Sequence, residues 1–213
     1  MNFRILRYAS RQFIRLLEAP HPIAYSMRMK INTLLAVLFA LQQSVAWSFA
    51  DEERDWGVPP TRDIRQAPYS APTPTEIAGA RLIFTGQLHN MLVMMPAPVL
   101  IDVAGGDEHV TLRGAFWIPG MGRGNHFLDP IQAQTVELLE KLTNGDKSRP
   151  LVFFCVNAQC WLSYNASLRA VAAGYQQVFW YRGGIQAWAE ADLPLAKVSL
   201  STIATPDARS DSK

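Results

Sequence analysis

Thiols and imidazoles are scarce in this chain. Its 213 residues include two cysteines, Cys155 and Cys160, and four histidines. A closed zinc site takes about four ligands at motif spacing. His89, His109 and His126 lie scattered along the chain, so no metal centre is expected. No histidine follows Cys160, which excludes a Cys-x-x-Cys-His haem attachment. Charge is modest, at 18% of residues, with a formal net of +2. The basic excess belongs to residues 1–50, which hold six Lys/Arg against the single acid Glu18. Residues 51–213 hold 14 basic and 17 acidic residues, a net of −3. A nucleic-acid partner would need a clustered basic face on the folded part, so none is expected. The apolar run Leu34–Leu41 falls short of the ~20 residues that span a bilayer.

That run has a different meaning in its context. Arg28 and Lys30 precede it, and Ser44-Val45-Ala46 or Ser48-Phe49-Ala50 follow it, just before Asp51. A basic start, an apolar middle and a small-residue end form a secretory signal. The competing reading is an uncleaved anchor. Arg4, Arg7, Arg11 and Arg15 stand further upstream at helical spacing. Met27 or Met29 is the expected start, with a long basic leader as the alternative. The mature chain is thus expected outside the cytoplasm, in the periplasm, and off the membrane once the signal is removed. Disulfides persist there, and within the chain Cys155 and Cys160 can pair only with each other.

The organisation expected is a removable leader (1–50), a Pro-rich arm (51–74), one domain (75–198) and a flexible tail (199–213). The arm is rich in proline and has no period. Proline removes a backbone donor and fixes φ, so neither helix nor inner strand forms. The arm is a linker or a strap lying on the domain. Short apolar runs then alternate with helical patterns. "TEIAGA" is expected as one helical turn, "RLIFT" as a strand, and Thr85 as the cap of a helix presenting Leu88, Met91, Leu92 and Met95. "VLIDVA" (99–104), "GAFWIPG" (114–120), "LVFFC" (151–155) and "QVFWY" (177–181) read as further strands. Asp129-Pro130 is an N-cap followed by proline at the first helical position. The helix it opens presents Val136, Leu139 and Leu142 and ends at Asn144-Gly145. A helix beginning at Trp161 ends at Gly174, and a last one follows Gly183-Gly184 up to Pro194. Alternating strands and helices give an α/β fold with a mainly parallel central sheet and helices on both faces.

The ordered set of Asp102 in its strand, the Ile118-Pro119-Gly120 turn, a cysteine directly after a buried strand, Gly174-Tyr175, and Gly183-Gly184-Ile185-Gln186-Ala187-Trp188 resembles the rhodanese domain. The Cys160-Trp161 pair following a nearby cysteine, then Leu162-Ser163-Tyr164-Asn165-Ala166, is similar to the exported CXXCW-motif proteins associated with catabolism that depends on pyrroloquinoline quinone (PQQ). Here four residues separate the cysteines, more than the motif's name states. The resemblance implies a PQQ-dependent dehydrogenase or a cytochrome c as periplasmic partner, and a small thiol or sulfane-sulfur donor as substrate. It implies no cofactor for this chain, since the link to PQQ is one of pathway.

The resemblance also places Cys155 as nucleophile at the head of an active loop, Val156, Asn157, Ala158, Gln159, Cys160 and Trp161. Loop N–H groups and the helix N-terminus would stabilise its thiolate. Asp102 supports loop N–H groups. A sulfurtransferase loop of this kind carries an arginine for its anionic donor, and this one has no basic residue. Cys160 stands near that place, and Arg169 lies two turns into the helix, where it can face solvent. Thiosulfate transfer is therefore disfavoured, as are arsenate reductase and phosphatase chemistry. Cys160 is instead read as a resolving thiol. A static disulfide stays open, as does an inactive scaffold that docks a partner through the arm and the Gly122–His126 loop. Trp161 either covers the loop or packs the helix start.

Overall fold

The computed structural model describes residues 51–94 and 96–199. The expected signal, Met95 and the residues after Ser199 lie outside the described residues.

The central sheet has five strands: β1 (Arg81–Ile83), β2 (Val99–Asp102), β4 (Phe116–Trp117), β5 (Leu151–Phe154) and β6 (Val178–Tyr181). Their order is β1-β6-β5-β2-β4, and every neighbouring pair is parallel. All four residues of β2, of β5 and of β6 are buried, as in a sheet covered on both faces. Period-2 alternation divides the core. Val99, Ile101, Leu151 and Phe153 pack with Leu139, Leu162 and Ala166 on one face. Leu100, Val152, Phe154 and Tyr181 pack with Leu88, Ile185 and Trp188 on the other.

The covering helices are α1 (Thr85–Leu92), α2 (Pro130–Thr143), α3 (Trp161–Ala172) and α4 (Gly184–Glu190). The start of α2 is as its residues dictate. Asp129 is the N-cap, its Oδ1 accepts the Gln132 N–H at 3.0 Å, and Pro130 opens the helix. Asn144, at φ 53°, closes it. Its buried face, however, is Thr135, Leu139 and Thr143, one step round from Val136 and Leu142. Thr143 turns inward because its hydroxyl bonds the Leu139 carbonyl and Tyr175.

Three local expectations are corrected. The N-cap of α1 is Phe84, whose N–H is taken by Gln87 Oε1; Thr85 is the first helical residue and is occupied elsewhere. "TEIAGA" forms turns and bends without a helix. A second, two-stranded antiparallel sheet pairs β3 (Glu108–Leu112) with β7 (Leu195–Ser199), two segments for which no strand was expected. Neither short strand shows a full alternating pattern, so each is fixed by its distant partner.

The arm is a strap. Ile64, 5% exposed, packs against Trp161, Tyr164, Leu168 and Trp180. Tyr164 Oη accepts the Thr61 N–H at 3.0 Å and donates to the Thr61 carbonyl at 2.8 Å. Asn165 does the same for the backbone of Arg65. Proline-rich backbone thus finds side-chain partners in place of a ladder. Helix α3 lies between sheet and strap, which is why Trp161 through Ala170 are all buried.

Candidate functional site

β5 is the middle strand of its sheet, so the residue following it emerges at the centre of the carboxyl edge. That residue is Cys155. In open parallel sheets this edge is where ligands bind. Cys155 and Cys160 form a disulfide, with Cα atoms 6.2 Å apart. Their environments differ. Cys155 is 2% exposed and belongs to the core beside Phe153 and Leu162. Cys160 is half-buried and is the N-cap of α3.

The loop is held from two sides. On one, the turn into α4 presses against it. The N–H groups of Ile185 and Gln186 donate to the carbonyls of Cys155 (3.0 Å) and Val156 (2.8 Å). Gly184 has φ +61°, and a Cβ there would collide with the Cys155 carbonyl oxygen, so only glycine fits. On the other side runs the strap. Ser70 and Cys160 form an antiparallel bridge. Trp161 N–H donates to the Tyr69 carbonyl at 2.8 Å, and Ala71 N–H to the Gln159 carbonyl at 2.9 Å. Thr73 Oγ1 donates to the Ala158 carbonyl at 2.6 Å and accepts from Arg182 Nε at 3.0 Å. Arg182 also donates to the carbonyls of Glu52, Arg54 and Thr73, under the ring of Trp56. Its charge is spent on the strap. The strap's hold on the loop, through Tyr69, Thr73 and Arg182, carries no sequence motif; isolated apolar residues among the prolines are its only trace.

Within the loop, Val156 is 49% exposed, and Asn157 Nδ2 donates to Gln186 Oε1 at 3.2 Å. Asn157 Oδ1 accepts the Gln159 N–H at 3.0 Å, while Ala158 is buried. Trp161 does not line the loop opening. It is 2% exposed under the strap, its Nε1 donates to the Pro72 carbonyl at 3.0 Å, and Arg65 covers its ring.

Asp102 is fully buried at the carboxyl end of β2. Its Oδ1 accepts the Ala104 N–H at 2.9 Å, in the segment that follows its own strand. Its Oδ2 accepts from Thr111 Oγ1 at 2.6 Å and meets His109 Nε2 at 2.7 Å. It therefore braces β3 and the turn after β2, and bonds nothing in the 155–160 loop.

Arg169 overturns the expectation that it faces solvent. It is 0% exposed. Nη2 donates to the Arg123 carbonyl (2.6 Å) and to Asp129 Oδ2 (2.7 Å), and Nη1 to Gln132 Oε1 (3.2 Å). Burial would raise the Asp129 pKa; the Arg169 bond and the N–H groups of Gln132 and Asn125 more than offset it, bringing the carboxyl down to about 2. Arg169 is thus bound within the core and supplies no charge to the loop.

The ground beside the loop is acidic. A shallow cleft is lined by Glu52, Asn157, Ala158, Gln186 and Glu190, among others. Glu52 is 1% exposed. Its Oε2 accepts from Thr85 N–H (2.9 Å) and Thr85 Oγ1 (2.7 Å), while Oε1 is buried without a partner. Burial, opposed by the Thr85 bonds, raises its pKa. Among the described residues no group of three or more His, Cys, Asp or Glu is placed to hold a metal, and no helix is long and apolar enough to cross a membrane.

A disulfide-bearing loop on the middle strand of a parallel sheet, closed by a double-glycine turn, defines the class. The rhodanese-like domain family matches residues 85–191, about half of the chain, and the chain belongs to that family. Similar solved structures include the 30 kDa polysulfide-sulfur transferase homodimer from Wolinella succinogenes, at 15% identity, covering 56% of this chain and 80% of that one, with a TM-score of 0.40. A thiosulfate sulfurtransferase from Pseudomonas aeruginosa is 18% identical over 55% of this chain and 20% of that one, TM-score 0.42. A full-length protein from Lactobacillus plantarum is 17% identical over 55% and 88%, TM-score 0.40. No curated protein matches the chain.

Proposed function

We propose that the protein is an exported thiol–disulfide redox protein on a rhodanese scaffold, cycling Cys155 and Cys160 between dithiol and disulfide. We place it in the periplasm, serving PQQ-dependent alcohol oxidation, with a dehydrogenase or cytochrome c of that system as partner. What carries the reading is the pairing itself: two thiols in one loop, at bonding distance, at the carboxyl edge of the middle strand. Sulfur transfer from thiosulfate is the weaker use of the same loop. A small dianion is bound best by bidentate arginine. The loop has no basic residue, Arg169 and Arg182 are both committed to internal acceptors, and the adjoining cleft carries Glu52 and Glu190, which repel anions. Export fits a persistent disulfide.

The test is equilibration of the purified protein in glutathione buffers of graded potential, followed by alkylation and mass spectrometry. A reversible two-electron transition of Cys155 and Cys160 is expected, with negligible thiocyanate formation from thiosulfate and cyanide by the reduced protein. A pair that never exchanges with glutathione, or rapid thiosulfate turnover, overturns the reading. Enrichment of the full chain in the cytoplasmic fraction overturns its location.

A further inference from the structure

The two cysteines differ in access and in electrostatics, and both differences run against the order that the rhodanese resemblance implies. Cys155 occupies the nucleophile's position in the chain, yet it is 2% exposed and packed into the core. Its carbonyl is locked to the Ile185 N–H, with Gly184 in close approach. Cys160 is half-buried. It is the N-cap of the twelve-residue helix α3 and has no side-chain capping bond. A thiolate there meets the positive end of the helix macrodipole and reacts at lower pH than an ordinary thiol.

We infer that Cys160 is the thiol that exchanges with the substrate, and that Cys155 is the buried resolving thiol. The inference rests on the proposed redox function and assigns the roles within it. In the oxidised protein an incoming thiolate must approach along the S–S axis. Of the two residues, Cys155 is buried and Cys160 is partly exposed, so the approach is open from the Cys160 side. The incoming sulfur bonds to Cys160 Sγ, the Cys155–Cys160 bond breaks, and its electron pair leaves on Cys155 Sγ, which takes a proton. A second thiolate of the substrate then attacks the substrate sulfur and releases the Cys160 thiolate. The substrate dithiol is oxidised to a disulfide and the protein disulfide is reduced, two electrons in all. In the reverse direction the Cys160 thiolate attacks a substrate disulfide and Cys155 resolves it. A thiolate at the α3 N-terminus would also be the better leaving group if Cys155 were attacked, but burial bars that route; access decides.

The experiment is pulsed alkylation of the fully reduced, folded protein with iodoacetamide, peptides being mapped at each time. Cys160 is expected to react at least ~10-fold faster than Cys155, with half-maximal reactivity below pH ~8.5, the value of a free thiol. The reduced Cys155→Ser variant should form a mixed disulfide with 5,5′-dithiobis(2-nitrobenzoate) at close to the wild-type rate, and Cys160→Ser at least ~10-fold more slowly. Equal labelling, or Cys155 first, overturns the order, and the wild-type measurement decides it even where a variant misfolds. Faster labelling of Cys160 with no exchange against glutathione leaves the order standing and removes the redox function.

Discussion

Arg169 Nη2 donates to Asp129 Oδ2 at 2.7 Å, joining the last turn of α3 to the N-cap of α2 with almost no solvent at either side chain. The Asp129 carboxyl titrates near 2, below its ordinary 3.8. A depressed folded pKa means stability that is present above the unfolded value and lost as pH falls through the folded one. Asp129 should thus contribute ~2 kcal/mol at neutral pH, lost between pH ~4 and ~2. Urea unfolding of the wild type and of Asp129→Asn across that range should show the gap between them closing towards pH 2. A gap independent of pH would refute the linkage.

Glu52 has the opposite sign. Its folded pKa is raised by burial, so its contribution is fully present below the unfolded pKa and declines as pH rises through the folded one. Glu52→Gln removes that decline while keeping an oxygen for Thr85. It should stabilise the protein at pH 8 relative to the wild type and lose the advantage at pH 4. Glu52→Ala strands the Thr85 N–H and should cost ~1–3 kcal/mol at both. Thermal unfolding at the two pH values distinguishes the variants.

Ile64 anchors the strap on α3 at 5% exposure. Truncation to alanine should cost ~2–4 kcal/mol of global stability with an unchanged denaturant slope. Hydrogen exchange at the Trp161 and Ala71 amides, both bonded across the strap–loop seam, should quicken in step with the global loss. A strap that unfolds alone would quicken Ala71 and leave global stability untouched.

Gln159 is exposed in the loop. Arginine there restores the charge a dianion needs, worth ~1.5 kcal/mol or more for a charge-assisted bond. Reduced Gln159→Arg should turn over thiosulfate ~10-fold faster than the wild type, read as thiocyanate. No gain would mean that a single positive charge at this position does not seat the donor against the exchanging thiol.

The features legible in the sequence are those written locally. β5 is an apolar run closed by its cysteine, and α2 is bracketed by Asp129-Pro130 and Asn144-Gly145. The last helix opens at Gly183-Gly184. The place of the thiol loop follows from these. The rest depends on residues far apart in the chain. Arg169 looks like a surface residue of a helix until the strap and Asp129 enclose it. Thr85 looks like a cap until Glu52, 33 positions earlier, claims its N–H. Asp102 accepts from Thr111 in β3, a strand whose partner is the distant β7. The relative burial of Cys155 and Cys160 belongs to packing and has no local signature.

The pairing of β3 with β7 bears on where the protein can be cut. The recognisable stretch ends at residue 191, before Leu195–Ser199 lay down the partner of Glu108–Leu112. A chain ending there would bare a strand edge and uncover Leu112, which is fully buried in the whole protein; such edges recruit other chains. A chain beginning at residue 85 would strip Tyr164 and Asn165 of their partners in the same way. The unit of ancestry is therefore smaller than the unit of folding, and a fragment trimmed to the former should aggregate where residues 51–199 stay in solution.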